Sequence, residues 1–349
     1  MNALMAVTGS RRWLGWVQFA LGALLAVGSG FVVFQLWPRD PPPSGWQQID
    51  PPGDGMALAE LRGEIWAGGR GGLYRLSVSD GRLLGQIEAD VALRSVTSLL
   101  VDQDGEGLWV GHSGGLSHWD GVAWKTLGPL DGWAGDPVLA LARGAGGELW
   151  VGAADGLSRF LGGIWQRFTT ADGMASNSVS ALFGDSAGRL WAGNGLSEEG
   201  GLSMYDGQSW RTFTTQDGLA HERVNAIAEL PQGTLWFGTG FSSAGGLTRY
   251  DGQAWEVFGQ EHGLAGAKVR SLWVDPYGVL WAGSEYDGLT RLGERPWLVL
   301  TPDDGLSGWE VKSMLQDSQG NLWLGTERGL TRIEASAWRL LAEGTSGAR

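Results

Sequence analysis

An aliphatic residue, a tryptophan and, two residues after it, a glycine recur together seven times in this chain, and no other feature limits its fold so tightly. The mark falls at Trp66, Trp109, Trp150, Trp191, Trp236, Trp281 and Trp323, each preceded by an aliphatic residue. The intervals are 43, 41, 41, 45, 45 and 42 residues, the period of a repeat in which each unit buries its apolar face against the next. Residues 224–258 show the unit best. An apolar run, Val224-Asn225-Ala226-Ile227, passes through a glycine turn to Leu235-Trp236-Phe237-Gly238. After a loop come Gly246-Leu247-Thr248-Arg249-Tyr250, the pair Asp251-Gly252, and Trp255-Glu256-Val257-Phe258. That is four short strands separated by turn chemistry.

The turns support this reading. Asp120-Gly121, Asp206-Gly207 and Asp251-Gly252 predict two-residue hairpins, where both central residues take φ > 0. Asp185 to Gly188, Asp275 to Gly278 and Asp317 to Gly320 predict type I turns closed by glycine. Strands rich in Trp, Leu and Val on both faces belong to sheets covered on both sides. Four-stranded sheets of this length, packed around an axis, are propeller blades. The expected fold is therefore all-β, a seven-bladed β-propeller of four-stranded antiparallel blades over residues 46–341. Seven further tryptophans mark the fourth strands: Trp46, Trp124, Trp165, Trp210, Trp255, Trp297 and Trp338. With Leu83-Leu84 in the first unit this makes one fourth strand too many, so Trp46 and Trp338 compete for the outer edge of the Trp323 blade. Both repeated sets are read as packing between blades. Trp119, Trp133, Trp273 and Trp309 remain outside the repeat.

Glycine at 60 of 349 residues without a collagen period points to many tight turns, and 21 tryptophans with 43% hydrophobic content exclude wholesale disorder. Before the repeat, residues 13–37 carry no charge and are long enough to cross a bilayer as one transmembrane helix. Arg11-Arg12 ahead of it place a cytoplasmic segment at 1–12 and the propeller outside the cytoplasm, giving a single-pass signal anchor. A cleaved signal peptide is the competing reading. Residues 38–45, with Pro41-Pro42-Pro43, form a stiff spacer, and 342–349 a flexible tail. The net charge is −13, and the two arginines are the only charges among the first 38 residues, so the remainder carries −15. Such an acidic body excludes nucleic acid as a partner. The absence of cysteine excludes disulfides and thiolate chemistry.

The repeat resembles the two-component regulator propeller family, whose unit runs Leu-Trp-x-Gly-Thr, Gly-Leu, Tyr-Asp-Gly, Trp, Phe-Thr, Asp-Gly-Leu, then an apolar strand. Leu235-Trp236-Phe237-Gly238-Thr239, Tyr205-Asp206-Gly207 with Trp210, Phe213-Thr214 with Asp217-Gly218-Leu219, and Leu322-Trp323-Leu324-Gly325-Thr326 carry the likeness. It covers roughly residues 46–340. The resemblance implies a sensing region like those of hybrid histidine kinases. No kinase, receiver or DNA-binding pattern follows Trp338, so signalling would run through a partner, such as a separate sensor kinase.

Antiparallel strands place the first and third turns of every blade on one face of the ring. The second loop and the connection between blades lie on the other, where variation concentrates. From the signature glycine to the glycine opening the third strand, the second loop spans four positions in most units. It spans five from Gly283 to Gly288, and eight from Gly193 to Gly201 and from Gly238 to Gly246. Loops that break a repeat are the expected home of binding residues. The candidate ligand-binding patch is Asn194, Glu198, Glu199, His221, Glu222, Arg223, Phe241, Ser242, Ser243, Glu285 and Tyr286. Tolerated surface insertion is the bland alternative.

Sharper chemistry finds little support. His112, His118, His221 and His262 show no metal-ligand spacing, and the first two read as independent surface groups. Asp102 to Glu106 only faintly resembles a calcium loop, and no nucleophile elbow or phosphate loop occurs. No catalytic residue, metal or cofactor is assigned. The leading expectation is a membrane-anchored extracytoplasmic propeller that binds a small ligand or partner protein, as a sensor or scaffold. A metal-dependent hydrolase or lyase and a structural part of an envelope assembly are the alternatives.

Overall fold

The computed structural model of the chain describes residues 41–342 apart from 89–92, 134–136, 195–199 and 294–295. The expected transmembrane helix at 13–37 lies outside the described residues, as do residues 343–349 of the expected tail. Among the described residues no helix is long and apolar enough to cross a membrane.

Seven four-stranded antiparallel sheets form the fold. Blade five is representative, with strands Val224–Glu229, Leu235–Phe241, Ala244–Tyr250 and Trp255–Phe258 hydrogen-bonded in sequence order. The first strand of each blade touches the first strand of the next. The circuit closes where Val311–Gln316 of blade seven meets Ala57–Leu61 of blade one. The all-β seven-bladed propeller read from the repeat is the fold.

The Trp-x-Gly signature marks where one blade lies on the next. Trp191 of blade four is buried against Leu235, Phe237 and Tyr250 of blade five, and Trp323 of blade seven against Ile65 and Leu76 of blade one. The glycine leaves room for the neighbour's first strand. A Cβ on Gly238 would lie 2.6 Å from Val269 Cγ1, and one on Gly193 would lie 2.7 Å from the Val224 carbonyl oxygen. Any side chain there would push adjacent blades apart.

The turn aspartates are bound to the same tryptophans. Trp191, Trp281 and Trp323 donate their indole N–H to Asp185, Asp275 and Asp317 at 2.7, 2.9 and 2.8 Å. The other carboxylate oxygen accepts backbone N–H groups of the turn, as Asp317 does from Gln319 and Asn321. In blade three Gly144 stands at the aspartate position, and Trp150 turns to Glu148 at 3.2 Å. In blade two Asp102 instead takes His118 at 2.7 Å, and that ring stacks on Trp109 with centroids 4.1 Å apart. Asp104 accepts the Glu106 N–H. The Asp102 to Glu106 run is thus a turn, and His118 belongs to the scaffold rather than to the free surface. His112 is fully buried: its Nδ1 accepts the Gly114 N–H, leaving Nε2 to donate to Ser117 Oγ at 2.9 Å.

The structure corrects two expectations. Tyr205 pairs with Trp210 and Tyr250 with Trp255, so the Asp-Gly turns are four-residue loops rather than two-residue hairpins. Only the glycine takes positive φ, as at Gly207 (97°). The aspartate instead accepts the N–H groups two and three residues on, as Asp206 does from Gln208 and Ser209 at 2.8 Å each. These donors hold the Asp206 carboxyl below its usual range.

The second correction concerns Trp338, which lies on α1 (Ala335–Ala342) and not on a strand. The outer edge of blade seven is taken by β1 (Trp46–Ile49), with Trp46 opposite Ile333 and Ile49 opposite Leu330. α1 follows the last strand directly, and its first turn holds the entry to β1. Glu334 N–H bonds the Gly45 carbonyl at 2.8 Å, and Trp338 reaches the Gly320 carbonyl at 2.5 Å. Because Ile333 ends its strand at the face of the first and third turns, the chain enters β1 on that face.

The connections between blades use the Asp-Gly-Leu element as a capped 3-10 turn. Asp304 accepts the Thr301 N–H at 3.0 Å and Gly305 takes φ 116°. His262 fills the aspartate's role in the preceding connection, accepting the Gly259 N–H at 3.0 Å.

Candidate functional site

Blade five breaks the ring's pseudo-symmetry by extending strands rather than by lengthening a loop. Its second and third strands pair to Gly240–Gly245 and Phe241–Ala244, and Ser242-Ser243 form the tip, with Ser242 at φ 54°. The resulting hairpin leans on blade six. A Cβ on Gly245 would fall 2.8 Å from the Ala267 carbonyl oxygen, and one on Gly240 would fall 3.1 Å from Lys268 Cα. Glycine at both positions lets the two backbones touch.

From that tip a continuous set of contacts crosses three blades. The Arg223 guanidinium lies 3.7 Å from the centre of the Phe241 ring, and Lys268 Nζ 5.5 Å from it. Lys268 forms an ion pair with Glu285, and its carbonyl accepts the Glu285 N–H at 3.2 Å. Glu285 also accepts the Tyr286 hydroxyl at 3.0 Å. Burial alone would raise the Glu285 carboxyl, but Lys268 and Tyr286 together hold it below its usual range. The same hydrogen bond and charge push the Tyr286 phenol up. Gly288 N–H then bonds the Trp309 carbonyl at 2.9 Å, and Trp309 N–H bonds Glu327 at 3.1 Å. Next to Trp309, Glu310 pairs with Arg270 at 3.0 Å and with Lys312 at 3.1 Å, and Lys312 reaches Asp54 at 2.7 Å.

The predicted patch therefore divides. Arg223, Phe241, Glu285 and Tyr286 are brought together through Lys268, with Ser242 and Ser243 at the hairpin tip. Asn194 is buried in the slot filled by Thr239 and Thr326 in other blades. Glu222 accepts the Thr215 N–H and hydroxyl at 3.0 and 2.8 Å, and His221 accepts the Arg223 N–H at 3.0 Å. His221 and Glu222 thus fold the connection between blades four and five. Glu198 and Glu199 lie outside the described residues. Among the described residues no group of three or more His, Cys, Asp or Glu is placed to hold a metal ion.

Lys268, Arg270, Trp309, Glu310 and Lys312 were not anticipated, although the sequence carries a signal for them. Most flank the valine that opens a first strand, as in Lys268-Val269-Arg270 and Glu310-Val311-Lys312. The corresponding flanks in blades two to four are Ser95/Thr97, Pro137/Leu139 and Ser178/Ser180.

Comparison with known proteins agrees with the repeat. A model described as "Two component regulator propeller" matches residues 218–241 and 305–328, which run from a connection through the first two strands of blades five and seven. The chain carries two component regulator propeller repeats. No curated protein matches the sequence. Among solved structures, the extracellular domain of a hybrid two component system from B. thetaiotaomicron is 20% identical with a TM-score of 0.74, over 88% of this chain and 42% of that one. PorZ, a surface component of the type-IX secretion system of Porphyromonas gingivalis, is 16% identical with a TM-score of 0.62, over 83% and 48%. Virginiamycin B lyase from Staphylococcus aureus is 12% identical with a TM-score of 0.62, over 83% and 98%. These likenesses establish the shared fold. The chain spans less than half the length of the first two.

Proposed function

We propose that this chain is an extracytoplasmic binding propeller, a sensor or scaffold that engages a ligand or partner protein on its variable face and acts through a separate protein. The observation that carries the reading is the linked arc of Arg223, Phe241, Lys268, Glu285, Tyr286 and Trp309. It gathers exposed aromatic rings on the one face where the repeat departs from its pattern, and aromatic residues with arginine are typical of interaction centres. The fold shared with the extracellular domain of a hybrid two component system supports the compartment, and the uncharged segment at 13–37, read as a membrane anchor, supports it further.

The test is photo-crosslinking in cells, with benzoylphenylalanine replacing Tyr286 on the variable face or Gln208 on the turn face. A discrete adduct from position 286 and none from position 208 is expected. Equal adducts from both positions, or none from 286, overturn the reading.

A further inference from the structure

We infer that the arc across blades five to seven docks an uncharged segment of a partner protein bearing aromatic or aliphatic side chains; the inference rests on this face being the binding face. The charges decide the partner's chemistry. Lys268 is matched by Glu285, Arg270 by Glu310, Lys312 by Glu310 and Asp54, and Arg70 by Asp54 at 2.9 Å. From Lys268 to Arg70 the signs alternate. A charged ligand would therefore meet repulsion beside every attraction, and breaking a pair to bind it would strand a partly buried charge. An uncharged segment can cover these pairs without competing for either member.

The rings supply the contact. Phe241, Tyr286 and Trp309 are 39%, 62% and 38% exposed, and Trp309 is the one exposed tryptophan among the described residues. Two are anchored, Phe241 beneath Arg223 and Tyr286 by its hydroxyl, and the Trp309 backbone is fixed at both its polar groups. Anchored rings lose little freedom when covered, so the area they offer converts efficiently into affinity. They stand on three successive blades with the blade-five hairpin at one end, a footprint for a length of polypeptide rather than for an enclosed small molecule.

The experiment pans a phage library of random peptides of roughly twelve residues, a length suited to groove recognition, on the full chain. The enriched peptides are then measured against Trp309→Ala and Phe241→Ala proteins with unchanged melting temperatures. The expected consensus lacks Asp, Glu, Lys and Arg. Its binding should weaken by about tenfold or more in each variant. It should change less than about twofold between roughly 50 and 500 mM salt. A charged consensus with steep salt dependence, binding indifferent to both substitutions, or no enriched peptide overturns the inference. If adducts form at position 286 while no peptide is enriched, the binding face stands and the uncharged partner falls; if neither appears, both fall.

Discussion

At the scale of single residues, the strongest device in this ring is the aspartate that closes a turn and holds a buried tryptophan at once. In blade seven, removing the Asp317 carboxylate strips acceptors from the Trp323 indole, the Asn321 side chain and two turn N–H groups. Asp317→Ala should lower stability by about 2–4 kcal/mol, read by urea denaturation, because buried donors are left without partners. The turn was legible in the sequence from Asp-x-x-Gly, and the packing from Trp-x-Gly. The bond between them was not, because it joins residues six apart whose approach depends on the hairpin's twist. His112 offers a second test. Burial pushes its imidazole below the ordinary 6.5. The unfolded chain therefore binds a proton that the folded chain refuses, so this contribution to stability is complete above about pH 6.5 and is lost as pH falls below it. The melting temperature should drop between about pH 7 and 5. His112→Thr, the residue used at 239 and 326, should flatten that slope.

At the scale of elements, loop length was legible while loop structure was not. Eight positions marked both Gly193 to Gly201 in blade four and Gly238 to Gly246 in blade five, but a count cannot separate a loose loop from a hairpin whose strands continue. Gly240 and Gly245 are there because another blade's backbone passes close by, a tertiary demand with no local signature. Deleting Phe241–Ala244 restores the four-position spacing of Gly325 to Gly329. It should change stability by less than about 1 kcal/mol, since only surface pairing is lost, while abolishing the adduct at position 286. Thermal melting and crosslinking of one variant check both. α1 behaves in the opposite way. Its Trp338 is buried in the blade-six and blade-seven core and lies 6.0 Å from both the Trp273 and Tyr277 rings. Trp338→Ala should cost about 3–5 kcal/mol, a core-sized loss from a terminal helix, measurable by calorimetry. Its tryptophan matched the fourth-strand mark in spacing alone; the Ala-Ser-Ala-Trp-Arg-Leu-Leu-Ala run around it favours helix.

At the scale of the molecule, seven near-identical interfaces make the ring, and the repeat announced them because each asks the same shapes of its residues. Lys268, Arg270, Glu310 and Lys312 of the charged arc stayed hidden for the same reason. They flank the start of first strands that the repeat pattern marks as scaffold, and only comparison between blades reveals the flanks that differ. Closure is the exception to the symmetry. Four residues of β1 supply the last edge, so a chain starting at residue 50 should leave the outer edge of Gly329–Ile333 unpaired and associate through that edge. Size-exclusion chromatography with light scattering reads the result: soluble oligomer or aggregate for the truncated chain, none for the full one. The same arrangement sets a schedule during synthesis. β1 is made first and its partner strand last, about 280 residues later, which at about 5–20 residues per second is roughly 14–60 s of waiting on the ribosome. Six blades can assemble in order as they emerge, but the ring becomes one object only once the last strand of the seventh has been made.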